Sequence, residues 1–299
     1  MPHAQNILLQ RTNERRIPSD YTGDILIWDI DKTYLDTRFS SWRGLLAIPF
    51  EFAVDKRTIP GAPAVLRALR RGPGEESAIV PLYFISGSPP QLRQVVERRM
   101  TLDGVDYDGI TFKDQLSLLM SGRYAEIRAQ VAYKLMALLH YRSELPQATR
   151  WLCFGDDVEA DATIFVLFGE VCGGLRNRAL AQRLQSLHLP PHNIAALVAM
   201  ANTLTSLHDP IERIFIHLER GADLQSFSDH RVVPTRSYLQ TALVLLRMQR
   251  INPEAVATVA RDLRLRGMPE ATLNTHLQDA QNRLNIDATA LRLAASVTP

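Results

Sequence analysis

The segment Asp24-Ile25-Leu26-Ile27-Trp28-Asp29-Ile30-Asp31-Lys32-Thr33 constrains what this chain can fold into more than any other. Four apolar residues in a row, without the alternation of a half-exposed strand, suit a strand covered on both faces, as in a parallel sheet flanked by helices. Such sheets place their sites beyond the carboxyl ends of the strands, and this run ends in two carboxylates one residue apart, followed by a hydroxyl. Asp29 and Asp31 therefore stand where a ligand would bind, with Thr33 beside them.

From residue 24 onward the pattern predicts strands at 25–29, 80–86, 109–112, 151–154 and 170–172, separated by helices at 63–71, 90–100, 124–140 and 160–167. That alternation predicts an α/β fold, a Rossmann-like parallel sheet with helices on both faces. After Leu189-Pro190-Pro191 the strand signals stop. Helical periodicity at 211–220, 237–250, 253–265 and 269–284 then predicts an all-helical C-terminal region. The expected division is a polar lead-in over 1–23, with a short pairing strand at Ile7-Leu8-Leu9 an open option, an α/β domain over 24–190 and a helical domain over 191–299.

A formal charge of +2 gives no ground for expecting nucleic acid, while 46% hydrophobic and 22% charged residues permit a sizeable core. Cys153 and Cys172 lie in apolar runs and read as reduced, buried thiols, which fits a cytoplasmic compartment. The N-terminus lacks a basic stub leading into an apolar run, and no apolar run approaches the ~20 residues a membrane span needs. Work on a lipid would therefore be done at a surface. The histidines show no metal-ligand spacing, so zinc is not expected; His140, His208 and His217 read as helix residues. Arg247, Arg250, Arg261, Arg264 and Arg266 read as a solvated basic face. Nothing in the sequence indicates an oligomeric state.

Three further segments carry chemistry. Leu82-Tyr83-Phe84-Ile85-Ser86-Gly87-Ser88 is a second apolar strand ending in a hydroxyl, and Gly87 there allows close approach to an anion. Ser88, before Pro89-Pro90, reads as a helix cap. Trp151-Leu152-Cys153-Phe154 runs into Gly155 and the carboxylates Asp156, Asp157, Glu159 and Asp161, and Lys134 is the one cation within Ala132–Leu139. In a parallel sheet these strand ends share one edge and gather carboxylates, a hydroxyl and an ammonium, an inventory that fits a phosphoryl group. Clustered oxygen ligands suit Mg²⁺, and an aspartate facing phosphorus can form an aspartyl-phosphate. Asp157 fits a metal ligand and a helix cap equally well. Lys32 fits a solvated loop charge as well as a contact to an anionic substrate, and Glu159 reads as solvent-facing.

In this order the segments resemble the four motifs of the haloacid dehalogenase-like phosphohydrolases: Asp29-Ile-Asp31-Lys-Thr33, Ser86, Lys134, and Gly155-Asp156 with Asp161. The resemblance implies that Asp29 is the nucleophile and that Asp31 protonates the leaving oxygen and then activates water. It implies that Ser86 and Lys134 hold the phosphoryl oxygens, and that Asp29, the Asp31 backbone carbonyl and Asp156 hold Mg²⁺. Within the superfamily, Asp-Ile-Asp-x-Thr, the phrase Tyr83-Phe-Ile-Ser86-Gly-Ser88-Pro89, Lys134-Leu135 and Gly155-Asp156-x-x-x-x-Asp161 are similar to phosphatidate phosphatases of the actin-patch type, with departures at Lys32, Gly87 and Pro90. The register of ion-pumping ATPases, which would make Asp31 the nucleophile, requires Gly at 34 and Thr at 35, where this chain has Tyr34 and Leu35.

The implied function is Mg²⁺-dependent hydrolysis of a phosphomonoester, with a phosphatidate-like lipid at a membrane surface as the favoured substrate. A small-molecule or phosphoprotein phosphatase of the same superfamily stays open, as does a non-catalytic interaction module built on the helical tail. The stretch after the first motif is too short for a large inserted cap. Its apolar part over 39–58, with Trp42 and Phe50, fits either a lid or a helix packed on the sheet.

Overall fold

The computed structural model describes residues 7, 9–13, 15–36, 57–74, 79–113 and 123–295, so the stretch over 39–58, read as either a lid or a helix packed on the sheet, lies almost wholly outside the described residues. Among the described residues seven strands form one sheet in the order β1-β4-β3-β2-β5-β6-β7. They are β1 (Leu9–Asn13), β2 (Asp24–Asp29), β3 (Leu82–Ser86), β4 (Gly109–Lys113), β5 (Arg150–Asp156), β6 (Ile211–His217) and β7 (Val232–Thr235). All neighbours run parallel except β1, which adds antiparallel to β4. The lead-in thus supplies an edge strand, pinned by a two-pronged bond from the Arg11 guanidinium to Glu144 at 2.7 Å for each prong.

The continuous apolar runs of β2, β3 and β5 are buried on both sides. Because side chains alternate across a strand, Leu26 and Trp28 join one hydrophobic cluster while Ile25 and Ile27 join another. The second cluster is roofed by α3 (Arg123–Glu144), α4 (Asp161–Cys172), α5 (Asn177–Ser186) and α6 (Pro191–Asn202). The first is roofed by α1 (Ala62–Arg71) and α2 (Arg93–Leu102), together with α7 (Tyr238–Arg247), α8 (Pro253–Leu265), α9 (Glu270–Leu284) and α10 (Ala288–Ala295). Helices cover both faces, as the alternation predicts. Asp29 continues the Ile25–Ile27 side of β2 and so faces α3.

Two sequence assignments change. Ile211–Arg220 is not helical: Ile211 to His217 pair in parallel with Trp151 to Asp156, and β7 then pairs with β6. The spacing of Ile211, Ile214, Phe215 and Leu218 matches a helix, but three β-branched isoleucines fit a pleated surface better, and the open edge of β5 supplies the partner. The C-terminal region is therefore helical from α7 onward, after two strands have extended the sheet. Pro234 is accommodated because β7 is an edge strand, where a missing N–H leaves no ladder bond unmade. Glu170–Cys172 is the last turn of α4 and not a strand; a short apolar run does not distinguish the two by itself.

Asn252 caps α8 by accepting from the Ala255 N–H, with Pro253 in the first turn. The basic tendency of the tail is largely absorbed internally, since Arg250 pairs with Asp24 and Glu212, Arg264 with Glu270, and Arg266 with Asp262. Among the described residues no helix is long and apolar enough to cross a membrane. Cys153 and Cys172 are both buried and unpaired in disulfides.

Candidate active site

The carboxyl ends of β2, β3 and β5 meet at one point, and α3 reaches over it. Lys134 lies midway along α3 among buried Val131–Leu139 and is only 1% exposed, a position an ammonium tolerates only when paired. Its Nζ stands 2.7 Å from Asp29 Oδ1, 2.6 Å from Glu159 Oε2 and 2.5 Å from Asp161 Oδ1. Burial alone would lower its pKa, but Asp161, Asp29 and Glu159 outweigh burial and hold it well above the ordinary lysine value.

Asp31 sits beneath two hydroxyls. Ser86 Oγ donates to its Oδ2 at 3.1 Å and Ser88 Oγ to the same oxygen at 2.8 Å. Ser88 is thus a site residue and no helix cap; its signal was the two-residue spacing from Ser86, which puts both hydroxyls on one side of the turn. Asp29, by contrast, has an Oδ2 with no hydrogen-bond partner among the described residues, although it is buried.

Asp156 Oδ1 accepts from the Val158 and Glu159 N–H groups at 2.5 and 2.9 Å, and its Oδ2 accepts from Thr33 Oγ1 at 3.3 Å. Asp161 returns to β5, where its Oδ2 accepts from the Asp156 N–H at 3.2 Å. Gly155 makes that return possible: a Cβ there would lie 2.5 Å from the Asp161 Cβ.

Asp29, Asp156 and Asp161 each offer an oxygen within 4.8 Å of the others, and all three are buried. With Asp31 and Glu159, five carboxylates gather near the Lys134 ammonium among the described residues. Burial raises the Asp29 pKa well above the usual carboxylate range; Lys134 opposes that shift, and Asp161 and Glu159 add to it. Asp156 is raised by burial and then by Asp161 and Glu159, and Glu159 is pushed up to about 7 by burial that Lys134 only partly counters. Excess buried negative charge, an aspartate oxygen without a partner and an all-oxygen donor set together fit a hard divalent cation.

Three residues stand differently from the sequence expectation. Asp157 turns away from the cluster: its oxygens accept from the Arg220 and Ala222 N–H groups at 2.9 and 2.8 Å, so it clamps the loop after β6 and does not join Asp29, Asp156 and Asp161. Glu159 is not solvent-facing, since its side chain is 5% exposed and is held by Lys134 and by Gln130 Nε2 at 3.1 Å. The space above Gly87 is taken by the Gln130 amide, whose Nε2 would lie 2.3 Å from an added Cβ, so the missing side chain makes room for a residue of α3.

Lys32 is buried and bonds Asp36 at 2.7 Å and Glu219 at 3.2 Å. Nor is His217 a helix residue: it ends β6 and stacks on Tyr238. His208 lies outside helices as well.

Residues 25–171 match the family model of the phosphatidate phosphatase APP1 catalytic domain. No curated protein matches the chain. Among solved structures, a chain of a Pnkp1/Rnl/Hen1 complex shares 14% identity over 56% of this chain at a TM-score of 0.28, and this chain spans 44% of that one. A chain described as a HAD-like phosphatase from Mesorhizobium loti shares 14% identity over 66% of this chain and 93% of that chain, at a TM-score of 0.33. The weight falls on the family match, because its span takes in the ends of β2, β3 and β5, Lys134 and the acidic return of Asp161; over residues 25–171 the chain is similar to a phosphatidate phosphatase catalytic domain.

Proposed function

We propose that the protein hydrolyses a phosphomonoester through an aspartyl-phosphate on Asp29. The observation that carries this reading is the contrast between the two acids of β2's end: Asp29 keeps an unpartnered buried oxygen beside Lys134, whereas Asp31 is oriented by two hydroxyls. In the first step an Asp29 oxygen forms a bond to phosphorus, the bond to the leaving oxygen breaks, and Asp31 gives that oxygen a proton. In the second, Asp31 takes a proton from water, the water oxygen attacks phosphorus, and Asp29 is released with inorganic phosphate. Lys134 and Ser86 neutralise and orient the phosphoryl oxygens, which is most of what phosphoryl transfer asks of a protein. Mg²⁺, held by Asp29 and Asp156 with the Asp31 carbonyl, would supply further charge neutralisation at the same oxygens.

A phosphatidate-like lipid is the favoured substrate, supported by the kind of domain that residues 25–171 match. The test is phosphate release from p-nitrophenyl phosphate with and without Mg²⁺, for the wild type and Asp29→Asn. It is followed by phosphatidate in vesicles against sugar phosphates, nucleotides and phosphopeptides. Equal rates for wild type and Asp29→Asn would sink the mechanism, and a preference for a small sugar phosphate would remove the lipid.

A further inference from the structure

The family match ends at residue 171, yet the turn that carries Asp31 and Thr33 is held from beyond it. Tyr238, the first residue of α7, donates its hydroxyl to the Thr33 carbonyl at 2.6 Å across 205 positions of sequence. Tyr238 is buried, and its ring belongs to a column: Phe154 on Trp28 at 4.0 Å, Trp28 on Tyr238 at 5.8 Å, and Tyr238 on His217 at 5.3 Å between ring centroids. A phenol packed in such a column delivers its hydroxyl to one place.

Thr33 is the joint. Its carbonyl receives Tyr238, and its own hydroxyl reaches Asp156 Oδ2 at 3.3 Å. The turn needs anchoring, because Lys32 adopts φ 63°, a left-handed conformation that a residue with a side chain enters at a cost. The next helix braces the same region from behind. Arg266, just past α8, donates to Thr58 Oγ1 at 3.0 Å; Thr58 bridges to Leu35; and the Gly61 N–H donates to Asp262 Oδ2 at 2.8 Å.

We infer that Tyr238 is a positioning residue for the phosphatase reaction, and that α7 and α8 are part of the catalytic unit. The Tyr238 hydroxyl fixes the Thr33 carbonyl, and through Thr33 it sets the turn bearing Asp31, just after Asp29, against Asp156. This inference rests on the phosphatase reading above.

The test uses Tyr238→Phe in the full chain, which removes one oxygen and keeps the ring column. Two quantities are measured: kcat and KM for p-nitrophenyl phosphate with Mg²⁺, and hydrogen exchange at the Tyr34 and Leu35 amides, which donate to the Ile30 carbonyl. Loss of the bond strands a buried carbonyl, so kcat falls about tenfold with KM within about twofold. Exchange at those two amides rises about tenfold while β2 and β5 stay protected.

The control is Asp287→Ala at the start of α10. Asp287 accepts from the Thr289 and Ala290 N–H groups, away from the turn, so this variant lowers the thermal midpoint and leaves kcat unchanged below the transition. Wild-type kcat and exchange in Tyr238→Phe would overturn the inference, as would an equal fall of kcat in Asp287→Ala. If the wild type releases no phosphate from any ester, the phosphatase reading fails, and exchange at Tyr34 and Leu35 still decides whether Tyr238 holds the turn.

Discussion

Replacing Lys134 by methionine isolates the charge balance of the site, because methionine keeps the unbranched stem that packs inside α3 and deletes only the ammonium. That ammonium touches Asp29, Glu159 and Asp161 at 2.5–2.7 Å, all with side chains 5% exposed or less. Removing one partner of a buried ion pair costs about 3–5 kcal/mol, since the remaining charge is left without compensation. The variant can limit the loss by binding one more proton among carboxylates already raised by burial and by one another.

The proton uptake fixes the sign of the pH dependence. A carboxylate whose folded pKa lies above its unfolded value makes the folded state bind more protons, so stability falls as pH rises through that window. One extra proton makes the variant's stability fall by a further ~1.4 kcal/mol per pH unit relative to the wild type. Urea unfolding followed by circular dichroism in EDTA is then expected to give a gap between the two proteins near 3–5 kcal/mol at pH 8. By pH 6 the gap closes by about 2–3 kcal/mol. A gap that does not change with pH, or its absence at pH 8, would show that the ammonium is not compensating buried carboxylates. Turnover falls at least about a hundredfold at any pH, the scale for loss of a group that stabilises transition-state charge.

Two further perturbations test separate parts of the structure. Gly155→Ala places a Cβ 2.5 Å from that of Asp161; overpacking of this kind costs about 1–3 kcal/mol, and a displaced Asp161 loosens Lys134, so both the thermal midpoint and kcat fall together. Asp229, whose pKa Arg231 holds down at about 2, stabilises the fold above the unfolded carboxylate pKa, and this contribution is lost as pH falls through about 2. Asp229→Asn is therefore less stable at pH 7 by about 1 kcal/mol after allowance for solvent screening, and indistinguishable from the wild type near pH 2. A constant difference between those pH values would refute the assignment.

The central strands were legible because their apolar runs are short, flanked by turn residues and alternate with helical segments, and the gathering of Asp29, Ser86 and Asp156 was legible because parallel strands bring their ends to one edge of the sheet. What could not be read depends on partners distant in sequence. Ile211–His217 shows helical spacing until the exposed edge of β5 is known, and Asp157 is indistinguishable from a ligand until the Arg220–Ala222 loop is placed beside it. Glu159 looks like a surface acid next to Asp156-Asp157 until α3 brings Gln130 and Lys134 above it. Tyr238 carries no local signal at all, since its bond to Thr33 exists only because the sheet continues through β7 and turns α7 back across the Trp28 side.

Asp29 and Asp31 are two residues apart, and their unequal surroundings predict that one of them opposes the fold it serves. Burial, with Asp161 and Glu159 added, outweighs the attraction of Lys134 and keeps the Asp29 pKa raised, so its ionised form is held at a net cost in the metal-free protein. An amide of the same shape carries no such cost. In EDTA at pH 8, Asp29→Asn should therefore be more stable than the wild type by about 1 kcal/mol or more, while turnover is abolished. The sign of the pH effect follows from the raised pKa: the wild type regains stability as pH falls toward the unfolded carboxylate value, so the two unfolding curves converge there. With Mg²⁺ present the order should reverse, because only the carboxylate can offer both a charge and its unpartnered Oδ2 to the cation. If Asp29→Asn is the less stable protein in EDTA at pH 8, Lys134 dominates the environment of Asp29, and the idea that the site stores unfavourable charge for its ligand is wrong.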